Sequence, residues 1–159
     1  MMRLTVAALA WLIATAPCFA QQGETDGWRA LVRGDYATAE KIWLPRAEQG
    51  DIQAALGLGH LYSVRRRNDQ AAHWYQIAAQ AGDAVAQTLL ATMYLHGQGV
   101  ARDLVRAFAW YDSAAAGGQI NAGKARDAVG LQMSPEQIEQ AKALAAEFRA
   151  GKAALADGG

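Results

Sequence analysis

Cysteine is almost absent from the sequence, since Cys18 is the single one among 159 residues. One thiol cannot close a disulfide within the chain, and it cannot supply the several thiolates of a cysteine-based zinc site. The sequence therefore excludes the small disulfide-stapled domains and the cysteine-rich zinc modules. The fold must be held together by packing.

An excess of one charge is also missing. Lys and Arg together number 15, as do Asp and Glu, so the formal net charge is 0. A balanced chain lacks the basic surface that attracts nucleic acid, and we expect no nucleic-acid partner. We interpret the one basic cluster, Arg65-Arg66-Arg67, as a solvated turn between helices, with a site for an anionic partner as the alternative.

A long apolar run occurs only near the start of the chain, as LTVAALAWLIATA over residues 4–16. A run of this length after an arginine, followed by small residues up to Ala20, is typical of a secretory signal peptide and is too short for a membrane span. We expect residues 1–20 to be cleaved after Ala20, giving a periplasmic or secreted protein with no integral membrane segment in its mature chain. The alternative is a lipoprotein signal acylated on Cys18, which the preceding Pro17 disfavours.

The rest of the chain repeats itself. WYQIAAQAGDAVAQ begins at Trp74, and WYDSAAAGGQINAG begins at Trp110. Each unit is predicted to contain two helices, because its apolar and small residues recur at helical spacing. The first helices carry Ala54, Leu58, Tyr62 and Ala86, Leu90, Tyr94; the second helices carry Ala71, Trp74, Tyr75, Ala78, Ala79 and Ala107, Trp110, Tyr111, Ala114, Ala115.

The alternation of very large and very small residues indicates how such units pack. Alanine and glycine let two helix axes approach closely, and the aromatic rings of one unit fill the space beside its neighbour. A single helix pair cannot bury such a face, whereas a stack of pairs can. Trp110 is therefore predicted to be buried between units, and Trp110→Ala is expected to cost about 3–5 kcal/mol.

Turn and cap residues mark the ends of these helices. Asp69 and Asp103 stand near the starts of the second helices, where a carboxylate can accept from free N–H groups. Gly50, Gly82 and the Gly117-Gly118 pair stand where helices end, and a left-handed glycine is predicted there.

Both ends of the repeat region depart from the pattern. Residues 27–50 resemble an incomplete first unit, with Trp28 and Leu31 on one helix and Asp35 starting the next. Pro45 lies inside that second helix and is predicted to distort it, because proline lacks an N–H donor.

A closing helix is predicted from SPEQIEQAKALAAEFRA. Ser134 is a good N-cap, Pro135 fits the first helical position, and Gln137 completes a capping box. We expect one domain over residues 21–150 and a flexible tail over 151–159.

The second unit resembles the Sel1-like repeat, a relative of the tetratricopeptide repeat. The family pattern is an Ala-x3-Leu-Gly-x2-Tyr helix, a G-x-G-V turn, an Asp, and then Ala-x2-Trp-Tyr-x2-Ala-Ala and a Gly. The unit that contains Trp110 departs from the pattern at Ala91, which stands where the family has glycine. The unit that contains Trp74 has SVRRRN in place of the G-x-G-V turn. In the second unit the pattern is matched by Ala86, Leu90, Tyr94, Gly97, Gly99, Val100, Asp103, Ala107, Trp110, Tyr111, Ala114, Ala115 and Gly117.

The resemblance implies an all-α fold, a right-handed α-solenoid of helix-turn-helix repeats whose concave face is lined by the first helices. Members are adaptors and regulators that hold protein partners, and many are exported. Some cysteine-rich members are linked to β-lactam binding or hydrolysis, but the mature chain predicted here lacks cysteine.

The sequence offers no catalytic or metal-binding pattern. His60, His73 and His96 have no acidic or thiol partner at the spacing of a metal site. The glycine-rich GQGV follows a helix rather than a strand, which disfavours a phosphate loop. We predict no catalytic residue, no metal and no cofactor, so the protein is not expected to be an enzyme.

The leading hypothesis is a non-catalytic exported scaffold, regulatory or adaptor in role, that binds a protein or peptide partner. The candidate partner-binding residues occupy variable positions on the first helices, and Gln87→Ala is expected to change stability by less than about 0.5 kcal/mol. The alternative function is a cell-envelope hydrolase acting on β-lactams or peptidoglycan fragments. The candidates are Ala55, His60, Gln87, Thr88 and Thr92.

Overall fold

The computed structural model describes the backbone of residues 25–157 and the side chains of residues 25–151. The predicted signal peptide over 1–20 lies outside the described residues. Within them the chain is helical, without a strand. The helices are α1 (25–32, its described part), α2 (Tyr36–Ala47), α3 (Ile52–Val64), α4 (Asn68–Gln80), α5 (Ala84–His96), α6 (Leu104–Ala116), α7 (Ile120–Gly130) and α8 (Pro135–Asp157).

From α2 to α7 each helix packs against the next one along the chain. Short turns join them, so the chain forms a stack of antiparallel helix pairs. The all-α solenoid predicted from the repeat is confirmed.

Aspartates start most of these helices. The side chains of Asp35, Asp51, Asp83 and Asp103 accept hydrogen bonds from backbone N–H groups in the first turns of α2, α3, α5 and α6. Asp69 instead lies inside the first turn of α4, where its charge favours the helix start without capping it.

Glycines end them. Gly50 and Gly82 have φ angles of 89° and 93°, and Gly118 has 94°, all in the left-handed region that favours glycine. The predicted left-handed glycines are confirmed at these three positions, whereas Gly117 has φ −81°.

The two loops that join first and second helices differ in length but close in the same way. The backbone N–H of Arg67 donates to the carbonyl of Tyr62, and that of Asp103 donates to the carbonyl of Tyr94, each at 2.9 Å. The shorter loop contains the predicted turn at Arg65-Arg66-Arg67, in which Arg66 has a left-handed φ of 57°. The longer loop brings Gly99 against the backbone of Asn68 and Asp69, where a Cβ atom would collide with α4.

The core is built from aromatic rings against small residues, as predicted. Trp43 is completely buried, and a Cβ atom on Gly57 would lie 2.6 Å from its ring. Gly59 packs in the same way against the Tyr75 ring. Trp110 is 3% exposed, which confirms its predicted burial.

Pro45 does not stop α2, which continues to Ala47. The proline lies in the last turn, so the hydrogen bond that it cannot donate is lost near the end of the helix. The distortion expected from Pro45 is therefore limited to the last turn of α2, which ends two residues later.

The last helix breaks the repeat. Its start is as predicted: Ser134 N–H donates to Gln137 Oε1 at 2.9 Å, and Gln137 N–H donates to Ser134 Oγ at 3.3 Å. However, α8 packs against α6 and touches α4 rather than pairing with α7. It also continues to Asp157, so the predicted tail over 151–159 begins inside the helix, and residues 158–159 lie outside the described part.

Candidate partner-binding face

The first helices of the two central units present one row of accessible side chains each. Gln53 and His60 lie two turns apart on α3, and Val85, Thr88 and Thr92 follow the same side of α5. Gln53 and Val85 are exposed, and the other three are half-buried. We call these five residues the first-helix face.

His60 is held by aromatic neighbours. Its ring packs edge-on against Trp28 and Tyr75, with centroids 5.3 and 5.5 Å away. Its Nδ1 lies 3.2 Å from the Tyr75 hydroxyl oxygen. Burial lowers the pKa of His60, and the Asp83 carboxylate offsets part of this effect. The neutral ring can accept the Tyr75 proton at Nδ1 when its own proton is on Nε2.

Thr92 is fixed by a comparable bond. Its hydroxyl donates to the Thr88 carbonyl at 2.9 Å and lies 2.8 Å from the Tyr111 hydroxyl oxygen. Because the single Thr92 proton goes to the carbonyl, Tyr111 must donate to Thr92. Thr88 makes the same backbone bond to the Ala84 carbonyl, also at 2.9 Å.

His60 and Thr92 therefore occupy equivalent places in consecutive units. Each lies on a first helix and meets the hydroxyl of the tyrosine in the Trp-Tyr pair of its own second helix. The sequence identified both residues as candidates but did not reveal that Tyr75 and Tyr111 hold them. The repeat register contained that information, because the tyrosines recur at matched positions in the two units.

Two of the predicted candidates are not on the surface. Ala55 is 1% exposed and Gln87 is 6% exposed, so the expectation that they are variable surface positions is wrong. Gln87 donates from Nε2 to the Ala79 carbonyl at 3.0 Å, near the end of α4. Both residues lie on the side of their helix that packs inside the stack, which leaves His60, Thr88 and Thr92 as the accessible candidates.

An open cleft of about 450 Å³ lies at one end of the first-helix face, between the turns that precede α3 and α5. Gln53 donates across it to Asp83 Oδ2 at 3.4 Å. At the start of α3, Asp51 also lines the cleft and forms an ion pair with Arg46 at 2.7 Å. Burial raises the Asp51 pKa, but hydrogen bonds from Ala54, Arg46 and Gln53 together hold it below its usual range.

The remaining candidates of the sequence are dispersed. His73 is exposed beside Trp74, and His96 is the exposed last residue of α5. Arg65 pairs with Glu40 at 3.4 Å, and the Arg67 guanidinium lies 5.6 Å from the centre of the Tyr62 ring.

Across the described side chains, no group of three or more His, Cys, Asp and Glu is placed to hold a metal ion. None of the helices within that part has the length and apolar character needed to cross a membrane.

Comparison with known proteins identifies the repeated units. The family model described as Sel1 repeat matches residues 52–83 and 84–119, the units formed by α3–α4 and α5–α6. Among solved structures, the chain is similar to a protective antigen from uropathogenic Escherichia coli strains that displays an SLR fold, with a TM-score of 0.75 and 24% identity. The match covers 87% of this chain but 32% of the antigen, so the chain spans about a third of that protein's length.

Proposed function

Since the chain contains two Sel1 repeats, at residues 52–83 and 84–119, we propose that it is a non-catalytic scaffold that binds a protein or peptide partner on its first-helix face. Sel1 repeats are protein-interaction modules, and neighbouring units of a repeat protein together present an extended binding surface. We propose further that the protein acts in the periplasm or outside the cell, after cleavage at Ala20.

The observation that carries the proposal is the matched placement of His60 and Thr92. In both units a tyrosine hydroxyl holds the side chain at the same position of the first helix. The scaffold is thus the same, while the group offered to a partner changes from an imidazole to a hydroxyl. A fixed frame with variable side chains is how repeat surfaces acquire specificity.

The chemistry of the face favours a neutral polar segment of a partner. Thr88 and Thr92 use their hydroxyl protons on backbone carbonyls, so Thr88 offers acceptor lone pairs to an incoming N–H group, and Thr92 keeps one beside the bond that it accepts from Tyr111. Gln53 adds an amide, and Val85 adds a small apolar surface beside it. An extended peptide, with alternating backbone donors and acceptors, fits such a row.

Capture from an envelope extract tests the proposal. Gln53→Arg and Val85→Arg together place two bulky cations on the face at exposed positions, and we expect partner capture to fall at least tenfold while the Tm stays within about 2 °C. Gln76→Arg is the matched control, because Gln76 is exposed on the second helix α4. Equal capture by the double variant and the control would place the function on another surface.

Two further measurements separate the remaining parts of the proposal. Incubation of the purified protein with nitrocefin and with muropeptides is expected to give no turnover, and turnover would support the hydrolase alternative. The intact mass of the protein recovered from periplasm or medium is expected to correspond to a chain that begins at Gln21. A retained acyl group on Cys18 would contradict that cleavage.

A further inference from the structure

The outer side of α7, together with Leu131 that caps its C-terminus, carries two strongly exposed aliphatic side chains. Ile120 is 86% exposed and Leu131 is 90% exposed. They lie three helical turns apart, on one side of the helix and about 16 Å from each other along its axis. Lys124 and Asp127 are exposed on the same side between them.

The middle of this side, at Asp127, corresponds to a covered position in the earlier units. Counted from the preceding glycine turn, Asp127 takes the position of Gly59 in α3 and Ala91 in α5. Gly59 packs against the ring of Tyr75 from its own second helix, and Ala91 is completely buried. By contrast, the Asp127 side chain is 68% exposed.

The direction of α8 explains the difference. In the two central units the second helix pairs with the first helix that precedes it, as α4 does with α3 and α6 with α5. Instead, α8 lies on α6, where Phe148 stacks on Trp110 with the ring centroids 3.9 Å apart. Within residues 25–157, the side of α7 that would receive a second helix consequently has none packed on it.

We propose that a second copy of this chain covers α7, with the two α7 helices antiparallel across a two-fold axis. Ile120 and Leu131 are equidistant from the midpoint of the row, and so are Lys124 and Asp127. The symmetry operation therefore places Ile120 against Leu131 of the partner subunit. It also places Lys124 against Asp127 of the partner subunit.

The same sequence would not pair with itself in parallel, because a parallel arrangement sets Lys124 beside Lys124 and Asp127 beside Asp127. Antiparallel pairing joins each group to its complement twice, as a two-fold interface requires. The interface consists of little more than one helix from each copy, so the association is weak and depends on concentration.

A charge exchange tests this pairing. Lys124→Glu alone brings like charges together across the axis, and so does Asp127→Lys alone. Each is expected to raise the dimer Kd at least tenfold in sedimentation velocity. The double exchange Lys124→Glu with Asp127→Lys restores both pairs, and its Kd is expected to return to within about threefold of the original. Leu131→Glu should abolish the dimer.

The controls keep the result interpretable. Val32→Lys changes an 85% exposed aliphatic residue on α1, far from the row in the sequence, and is expected to leave the Kd unchanged. Circular dichroism melting checks that each variant is folded. Asp127 also pairs with Arg126 at 2.7 Å, so the Lys124 variant is the cleaner single change. A protein that stays monomeric up to about 1 mM, or a double exchange no better than the single changes, would overturn the proposal.

Discussion

At the scale of single residues, helical position alone does not reveal accessibility. Gln87 and Thr88 are neighbours on α5, yet Gln87 is buried and bonded to the Ala79 carbonyl whereas Thr88 is half-exposed. The Gln87 amide adds a side-chain donor to the Ala79 carbonyl near the end of α4, which also accepts from the Gly82 N–H at 3.0 Å. A polar residue inside the stack therefore has a structural role that its polarity conceals.

Gln87→Ala is expected to lower the free energy of unfolding by about 0.5–1.5 kcal/mol, because it removes the buried hydrogen bond to the Ala79 carbonyl, which keeps only its backbone donors. This replaces the smaller effect expected from the sequence. Gln76→Ala, at an exposed position of α4, should change it by less than about 0.5 kcal/mol. Urea unfolding of both variants provides the measurement. Equal effects would show that the buried bond contributes nothing.

His60 links stability to pH. Its pKa is lowered in the folded protein, chiefly by burial, so the unfolded chain takes up its proton at a higher pH than the folded one. The stabilisation is present above about pH 6.5, the ordinary value for histidine, and is lost as the pH falls through the lower folded pKa.

Thermal melts between pH 7 and pH 5 test this linkage. The loss of Tm on acidification is expected to be smaller in His60→Gln than in the original protein. His73→Gln, at an exposed histidine, should leave the loss unchanged. The linkage to His60 is refuted if both variants lose as much Tm as the original protein.

At the scale of elements, α6 is the helix on which the C-terminal half is assembled. It packs against α5, α7 and α8. Asp112 joins two of these contacts, because it pairs with Arg126 of α7 at 2.8 Å and with Arg149 of α8 at 2.7 Å. Burial opposes the charge of Asp112, but the two arginines hold its pKa below the usual range. On the same helix, Trp110 stacks on Phe148 of α8.

Trp110→Ala is expected to cost about 3–5 kcal/mol, because it removes the ring that fills the space between α6 and α8. Trp74 is the matched control, since it holds the equivalent position of α4 and is only half-buried. Trp74→Ala should therefore be less destabilising. Chemical denaturation compares the two, and a Trp110 variant as stable as the original would contradict the packing of α8 on α6.

At the scale of the whole molecule, α8 acts as a cap on the repeat stack rather than as the partner of α7. Its buried residues Ala141 and Ala145 are both 0% exposed. A terminal unit with a modified face is what keeps a repeat protein soluble. Here the cap covers α6, and it leaves one side of α7 open.

Ending the chain before Ser134 removes α8 and should lower the Tm by at least about 10 °C, because Trp110 and the apolar surface around it become exposed. Ending it after Gly151 is the control, since Phe148 and Arg149 remain in place. That shorter deletion is expected to shift the Tm by no more than about 2 °C. Differential scanning fluorimetry distinguishes the two, and equal melting of both truncated chains would show that α8 is not a cap.

The local features of the fold follow from the sequence alone. Helical spacing, the aspartates that start helices and the glycines that end them depend on residues close in the chain, so the helices from α2 to α6 and the capping box at Ser134 could be predicted. The repetition then determined the stack, because each unit carries the small and aromatic residues that fit its neighbour.

Which neighbour each helix face meets depends on how the helices pack together. The spacing of apolar residues on α8 gives that helix a buried side, but it fits α6 as well as α7. Likewise, Ala55 and Gln87 are buried because of the helix that lies beside them, which their own positions do not specify. Periodicity is a property of one helix, whereas burial depends on two. The first-helix face and the open side of α7 therefore follow from the packing of the helices and not from the sequence of any single helix.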